Sequence, residues 1–323
     1  MPSASSTTTA SLPSWFELQD YHTARDFVAA LQPSGSAWST DKFGISNWYF
    51  RGQWDATLPL LPRLFRTPLD PLVERVAASL ESDVEACLMR ANHLASIDRH
   101  RTVFSITSSE FELVERFRAL ADAVGHDMGD LWAYDGREWL ESPHAHSDQY
   151  CTPRFLSAMA QHHGIPTRAL DWTTHPLYAA FFASNKSTAA IVSCDHLAVW
   201  ALSQDCVKTR TGSKTTEHRL ARVWLPVSRV EYVRAQHGVL LFDARPNLFY
   251  MKEGRWPDVL DSIESSTAID KSKVQLRKLT LPHSELPALR QALMAHRISH
   301  AFLMPSLDNI ARTVADVFFN GAP

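Results

Sequence analysis

The spacing of apolar residues divides the chain into a helical first half and a second half richer in strands. Apolar side chains three and four positions apart share one helix face, whereas short apolar runs between turn residues are typical of strands. In 72–97, for example, Val73, Val76, Leu80 and Val84 follow the helical spacing. The pattern predicts helices at 15–31, 72–97, 111–124, 153–163, 177–184, 284–296 and 307–319. It predicts strands at 45–51, 197–202, 222–227, 238–242 and 274–281.

This segregation of helices and strands favours an α+β fold over alternating βαβ units. A chain of 323 residues is long enough to bury one large core, and no internal repeat divides it. Residues 1–14 are rich in Ser and Thr and predict a disordered tail, so we expect a single domain over 15–323. Residues 125–151 are polar without a clear period, which predicts a long loop or a lid.

The composition is that of an ordinary globular protein, with 45% hydrophobic and 21% charged residues. The net charge of −3 gives no general affinity for nucleic acid or anionic membranes. The four cysteines are scattered without the spacing of a zinc site, and neither a secretory leader nor an apolar run of membrane-spanning length occurs. The glycine-rich phosphate loops of dinucleotide-binding folds and ATPases are also missing. We therefore expect a cytoplasmic protein that binds neither metal nor membrane.

The first candidate for chemistry is Arg51, which ends the aromatic run Trp48-Tyr49-Phe50. An arginine at the end of a buried strand leaves the core pointing into a cleft, and its guanidinium suits bidentate binding of phosphate or carboxylate. The alternative is that Arg51 pairs with a structural carboxylate at the strand end.

The densest polar stretch is 160–173, which surrounds the turn Gly164-Ile165-Pro166 between two apolar helices. Polar groups concentrated in one loop between rigid elements are the usual form of a site. Neither a metal site nor a serine nucleophile elbow fits this stretch, whereas a polar pocket with an aromatic wall fits a nucleotide-like ligand. The alternative is a buried network in which Asp171 pairs with Arg168 and caps the following helix.

Two later stretches carry weaker signals. Gln236 precedes Gly238 at the start of a predicted strand, where it either contacts a ligand or satisfies backbone groups. Residues 302–311 predict a strand that runs into a helix, with Asp308 placed to complement the helix dipole.

These stretches, in this order, resemble the FRG family, named for a Phe-Arg-Gly triplet. The opening motif stands here as Phe50-Arg51-Gly52-Gln53 and is followed by a Leu-x-Pro-x-Leu-x-Arg pattern that ends at Arg66. The central motif appears over 160–173, with His163 where the family has Tyr and Ala169 where it has Leu. The closing motifs resemble 229–241 and 303–311. The resemblance places core motifs at 48–66 and 153–317, with a helical and loop insertion at 67–152.

The resemblance implies a split β-sheet like that of ADP-ribosyltransferases and an enzyme that uses NAD as its substrate, without a metal. It implies that Arg51 grips the pyrophosphate and that the segment from Asp171 shapes the nicotinamide pocket. Gln236 stands where such enzymes usually have Glu. The catalytic residues implied are Arg51, Asp171 and Gln236. The NAD-binding residues implied are Phe50, Arg51, Gln53, His162, Thr167, Arg168, Trp172 and Thr173.

The family resemblance also implies a biological role. FRG proteins have been proposed as toxins or anti-phage effectors, so the expected acceptor is a protein or a nucleic acid, RNA included, and an antitoxin or regulatory protein is an expected partner. One alternative is a nucleotide-sensing or protein-interaction module without catalysis. Another is a nucleic-acid-acting enzyme without NAD chemistry, whose phosphate contacts would come from Arg210, Lys214, Arg219 and Arg222.

Overall fold

The computed structural model describes residues 12–35, 37–38, 40, 46–90, 97–126, 155–185, 194–208, 218–223 and 231–320. This part of the chain forms one eight-stranded sheet flanked by helices. The strands are β1 (Phe16–Asp20), β2 (Trp48–Gln53), β3 (Leu170–Thr173), β4 (His196–Ser203), β5 (Val207–Lys208), β6 (Leu220–Arg222), β7 (Gly238–Asp243) and β8 (Leu276–Pro282).

The helices of the described residues are short, with one exception in the first half of the chain. They are α1 (Ala24–Ala30), α2 (Pro71–Ser79), α3 (Glu81–Arg90), the long α4 (Ile97–Ala123), α5 (Phe155–His162), α6 (Pro176–Ser184), α7 (Glu231–Ala235), α8 (Pro246–Glu253), α9 (Val259–Glu264), α10 (Leu286–Ala295), α11 (His300–Leu303) and α12 (Leu307–Asn320). Single 3₁₀ turns occur at Arg63–Phe65, Gln204–Cys206 and His283–Glu285.

The strands lie in the order β1-β8-β4-β2-β3-β7-β6-β5. The β1–β8 and β5–β6 pairs are parallel, and the other neighbours are antiparallel. A mixed sheet with mostly antiparallel pairing confirms the α+β class.

The sheet divides at its centre, between β2 and β3. β2 pairs with β4 along its whole length, from Trp48 to Gln53. With β3 it shares only one register position, where Phe50 lies opposite Thr173. The two strands therefore part after this position and leave a gap in the middle of the sheet.

The two faces of the sheet bury different cores, because successive side chains of a strand point to opposite faces. In β2, Trp48 and Phe50 join a core covered by α1, α6 and α10, whereas Tyr49 joins a core on the other face with Trp172 and Trp200.

Helix α6 lies so close to β2 that only glycine fits at position 52. A Cβ atom on Gly52 would lie 2.0 Å from the carbonyl oxygen of Ala179 and 2.5 Å from the amide nitrogen of Ala183. Both of these atoms belong to the backbone of α6. Gly52 thus sets the distance between the helix and the strand beside the gap.

A buried ion pair joins α4 to the chain just before β3. The Nε of Arg168 donates to Oε2 of Glu110 at 2.5 Å, and the backbone N–H of Arg168 donates to Oε1 of the same carboxylate at 2.8 Å. The two side chains are only 3% and 9% exposed, so each charge is stabilised by the other and hardly by water. The alternative interpretation of the stretch 160–173, in which Arg168 pairs with Asp171, is therefore wrong.

Changing Glu110 to glutamine should lower the free energy of unfolding by about 2 kcal/mol, because a neutral amide leaves the buried guanidinium of Arg168 without a counter-charge. Urea unfolding followed by circular dichroism measures this loss. Glu112→Gln on the same helix is the matched control, since its partner Arg116 is 71% exposed. Equal stability of the two variants would contradict a structural role for the Glu110–Arg168 pair.

Several sequence predictions need correction. The segment 15–31 is not one helix but strand β1 followed by α1, and the helix predicted over 72–97 is interrupted at Leu80. The helix predicted at 111–124 begins already at Ile97. The strand predicted from 302 is the short helix α11.

Three further predictions fall on segments that the structure covers only in part. The strand predicted over 222–227 is β6, which ends at Arg222, and 224–230 lie outside the described residues. The lid predicted over 125–151 lies outside them beyond His126, and so do residues 1–11 of the predicted tail.

Candidate functional site

The gap between β2 and β3 opens into a cleft of about 320 Å³. Residues from both strands, from the end of α5, from α6 and from the turn before β7 line it. They are Phe50, Arg51, Gly52, Gln161, His162, Asp171, Trp172, Thr173, Ala179, Phe182 and Gln236. All three residues predicted to be catalytic therefore lie on one cleft.

Arg51 crosses the gap between the two strands. Its Nη1 donates to the backbone carbonyl of Asp171 at 2.6 Å, while its Nε is buried without a hydrogen-bond partner among the described residues. The pKa of Arg51 is lowered to about 10, chiefly by burial, while Asp171 opposes this shift and the charge of Arg66 adds to it. The guanidinium therefore stays charged at neutral pH, and its Nε–H is available to donate a hydrogen bond to a ligand.

Arg51 shares this unpartnered state with two other groups on the cleft. Nε2 of His162 and Nε1 of Trp172 are also buried without a hydrogen-bond partner in the described part of the chain. A buried polar atom left unpaired costs about 1–3 kcal/mol. Three such nitrogens lie on this one cleft, where water or a ligand would complete their hydrogen bonds.

The charge state of His162 follows from its surroundings. Burial lowers its pKa below the usual value, Asp171 opposes that shift, and His163 reinforces it. The imidazole is therefore neutral at pH 7, and it offers the cleft one ring nitrogen that either donates or accepts.

Asp171 brings the negative charge to this site. It is the one Asp or Glu among the described residues that line the cleft, and its side chain is exposed. It does not cap the following helix as predicted. The N-cap of α6 is His175, whose N–H donates to Oγ1 of Thr173 at 3.1 Å.

Gln236 faces the cleft in a fixed orientation. Its Nε2 donates to the carbonyl of Leu303 at 3.2 Å, and its own backbone carbonyl accepts from Oγ1 of Thr173 at 2.7 Å. The side-chain amide must turn its nitrogen toward the Leu303 carbonyl, so Oε1 remains as an acceptor for a ligand. The Thr173 hydroxyl is already committed to the backbone.

Three residues predicted to bind NAD lie outside the cleft lining. Gln53 accepts from Nε1 of Trp200 at 2.6 Å and donates to the carbonyl of Pro59. Thr167 donates to the side chain of Gln161, and Arg168 pairs with Glu110 as described above. Each of these side chains is held by the protein itself, so the structure gives them a supporting position behind the cleft.

Four cleft residues were not among the predicted site residues, namely Gly52, Gln161, Ala179 and Phe182. Gln161 precedes His162 in the last turn of α5, and its position in the polar stretch was the available signal. Phe182 belongs to an apolar helix whose pattern does not distinguish the core from the wall of a cleft.

An aromatic cluster lies beside Gln236 and Thr173, where α6 begins. The rings of His175 and Tyr178 stack with their centroids 4.1 Å apart, and His237 lies 5.3 Å from Tyr178. The pKa of His175 is lowered to about 4, chiefly by burial and also by the neighbouring His237 and His296.

We expect His175 to make the folded protein sensitive to mild acid. Below its usual pKa of 6.5 the unfolded chain binds a proton, whereas the folded chain does not until about pH 4. The free energy of unfolding therefore falls as the pH drops through this window, and His175→Phe should make the fall smaller. Urea unfolding of both proteins at pH 7 and pH 5 measures the difference; a slope that the change leaves unaltered would refute it.

Neither a metal-binding cluster nor a helix that could span a membrane occurs among the described residues. No group of three or more His, Cys, Asp or Glu side chains is placed to hold a metal ion. None of the described helices has the length and the apolar character needed to cross a membrane.

Comparison with known proteins gives one match. Residues 46–190 match the family model described as the FRG domain. The matched segment contains β2, β3 and all the residues listed above for the cleft except Gln236. No curated protein and no solved structure matches the chain.

Proposed function

We propose that this chain, of which residues 46–190 match the FRG-domain model, is a mono-ADP-ribosyltransferase that uses NAD as its substrate. The observation that carries the proposal is the meeting of Arg51 and Asp171 across the divided sheet. A fixed cation and a free carboxylate lie there together, among buried nitrogens that have no partner in the described residues.

The reaction requires the bond between the ribose C1′ and the nicotinamide nitrogen to break. The electron pair of that bond leaves with nicotinamide, and positive charge builds on the ribose, as in glycoside hydrolysis. The acceptor then forms the new bond to C1′ and loses its proton to a base.

The cleft residues suit these needs. Arg51 is charged and has a free buried donor, so it would hold the diphosphate through charge-assisted hydrogen bonds. The carboxylate of Asp171 would stabilise the positive charge on the ribose and accept the proton of the acceptor.

Gln236 takes a positioning role in this scheme. Its amide is fixed by the Leu303 carbonyl, which leaves Oε1 to accept a hydrogen bond from a ribose hydroxyl. An amide cannot take up a proton at neutral pH, so the carboxylate function falls to Asp171. The gap between β2 and β3 supports a core similar to the split sheet of ADP-ribosyltransferases.

The acceptor in this proposal is a macromolecule, protein or nucleic acid, and the biological role is that of a cytoplasmic toxin or anti-phage effector held in check by a partner protein. The alternative is a nucleic-acid-acting enzyme without NAD chemistry, and one of its four expected phosphate-contacting residues is not available. Arg219 is buried and pairs with Asp243 at 2.8 Å, so it is not free for a phosphate backbone.

A non-catalytic nucleotide sensor is the second candidate, and the presence of Gln236 in place of a carboxylate favours it. Incubation of the purified chain with adenylate-labelled NAD and cell extract separates the two. Label on a macromolecule together with released nicotinamide supports the transferase. A rise in melting temperature with NAD, without label or nicotinamide release, supports the sensor. If neither is observed, both are wrong.

A further inference from the structure

Arg66 lies beside the cleft because its segment is tied to the chain that leads into β3. The N–H of Leu64 donates to the carbonyl of Thr167 at 3.4 Å, and Nη1 of Arg63 donates to the carbonyl of Gly164 at 2.8 Å. The chain 164–169 joins the end of α5, which carries His162, to β3, which carries Asp171. The segment between β2 and α2 therefore runs beside the cleft, although its residues are not part of the cleft lining.

Arg66 is an exposed residue whose guanidinium makes one hydrogen bond within the described part of the chain. Its Nε donates to the carbonyl of Leu61 at 3.2 Å, and no carboxylate among the described residues lies within ion-pair distance of it. Partial burial lowers the pKa of Arg66, the charge of Arg63 adds to this shift, and Asp171 and Asp70 oppose it. Arg66 in turn lowers the pKa of Arg51.

Its neighbour Arg63 shows the contrast. Arg63 donates to Oδ2 of Asp70 at 2.6 Å and to the Gly164 carbonyl, so its hydrogen-bonding capacity is directed to the protein. Arg66 and Arg51 each donate to one backbone carbonyl, and their other donors have no partner in the part of the chain that the structure describes. Two like charges thus lie near Asp171, a single carboxylate, which leaves an excess of positive charge.

We propose that Arg66 and Arg51 together bind the two phosphates of a nucleoside diphosphate, with Arg51 in the cleft and Arg66 beside it. A diphosphate carries more charge and more acceptor oxygens than one guanidinium can satisfy, and arginine binds phosphate in a bidentate way. The proposal deepens the NAD-dependent function and rests on it for the identity of the ligand, since NAD contains a diphosphate. The excess positive charge, however, would attract any ligand with this group.

Calorimetric titration of the whole chain with ADP, AMP and inorganic pyrophosphate tests the proposal. Arg66→Ala should weaken the binding of ADP and of pyrophosphate by about tenfold or more, with a smaller loss for AMP. Arg66→Lys should bind ADP and pyrophosphate with an affinity between those of the wild type and Arg66→Ala. Lysine keeps the charge but loses the bidentate geometry of the guanidinium. Arg75→Ala is the matched control, since Arg75 is exposed on α2 and removes the same charge without touching the cleft.

Each possible result supports or overturns the diphosphate site. Equal ADP affinity of the wild type and Arg66→Ala overturns the proposal, and so does a wild type that binds neither ADP nor pyrophosphate. Thermal unfolding shows whether Arg66→Ala is folded; if it is not, Arg66→Lys decides. Arg66-dependent binding of pyrophosphate without NAD turnover supports the diphosphate site and rejects the transferase. NAD turnover that Arg66→Ala leaves unchanged supports the transferase and rejects the site.

Discussion

Replacing Arg51 by alanine should abolish transfer of label from NAD and weaken NAD binding by about 100-fold or more. The guanidinium offers a diphosphate at least two charge-assisted hydrogen bonds, and each contributes about 1.5–3 kcal/mol. The side chain lies inside the cleft with Nε unpartnered among the described residues, so its loss removes ligand contacts more than internal ones. Calorimetric titration with NAD and the labelling assay measure the two effects.

Two further variants make this result specific. Arg51→Lys keeps the charge but not the two-pronged geometry, so it should recover part of the binding and little of the transfer. Arg75→Ala should behave as the wild type in both assays. Unaltered transfer by a folded Arg51→Ala protein would remove Arg51 from the site and with it the main support for the proposed function.

Replacing Gly52 by alanine should lower the free energy of unfolding by more than about 3 kcal/mol, beyond the usual cost of overpacking a core. The added methyl group meets the Ala179 carbonyl oxygen at 2.0 Å and the Ala183 nitrogen at 2.5 Å. Backbone atoms cannot rotate away as a side chain does, so α6 must move off β2. Because Ala179 and Phe182 of that helix line the cleft, ligand binding should fail together with stability.

Gly238→Ala is the matched control for this prediction. A Cβ at Gly238 would meet its nearest atoms, all of Val233, at 3.4 Å, which is an ordinary van der Waals distance. That variant should stay within about 1 kcal/mol of the wild type, because it adds a methyl group in available space. Urea unfolding of both proteins gives the comparison; a Gly52→Ala protein as stable as Gly238→Ala would show that the close approach of α6 is wrong.

The sequence pattern was informative wherever an element was long or uniformly apolar. It predicted α6, β4 and β8 within one or two residues, because apolar runs of that length between turn residues have few other structures. It failed at β1, where Phe16 and Leu18 fit a helix and a strand equally well. The parallel pairing of β1 with β8 decides between them, and that contact lies about as far away in the sequence as the chain allows.

The candidate site was likewise predicted only in part. The family resemblance implied Arg51, His162, Asp171 and Gln236 as site residues, and the structure brings all four to one cleft. It could not separate these residues from Gln53, Thr167 and Arg168, which occur in the same motifs. Glu110, the partner of Arg168, lies on a helix 58 residues earlier, and no local pattern announces such a pairing. Tertiary contacts alone decide which polar residues line the cleft and which are hydrogen-bonded within the protein.

The single register position between Phe50 and Thr173 has a mechanical consequence. Along this line the backbones of β2 and β3 share one register position, so the sheet consists of two four-stranded leaves, β1-β8-β4-β2 and β3-β7-β6-β5, that meet at its centre. A ligand that touches Arg51 on one leaf and Asp171 on the other would fasten the leaves together. Binding would then slow amide hydrogen exchange in both leaves at once, far beyond the atoms that the ligand contacts.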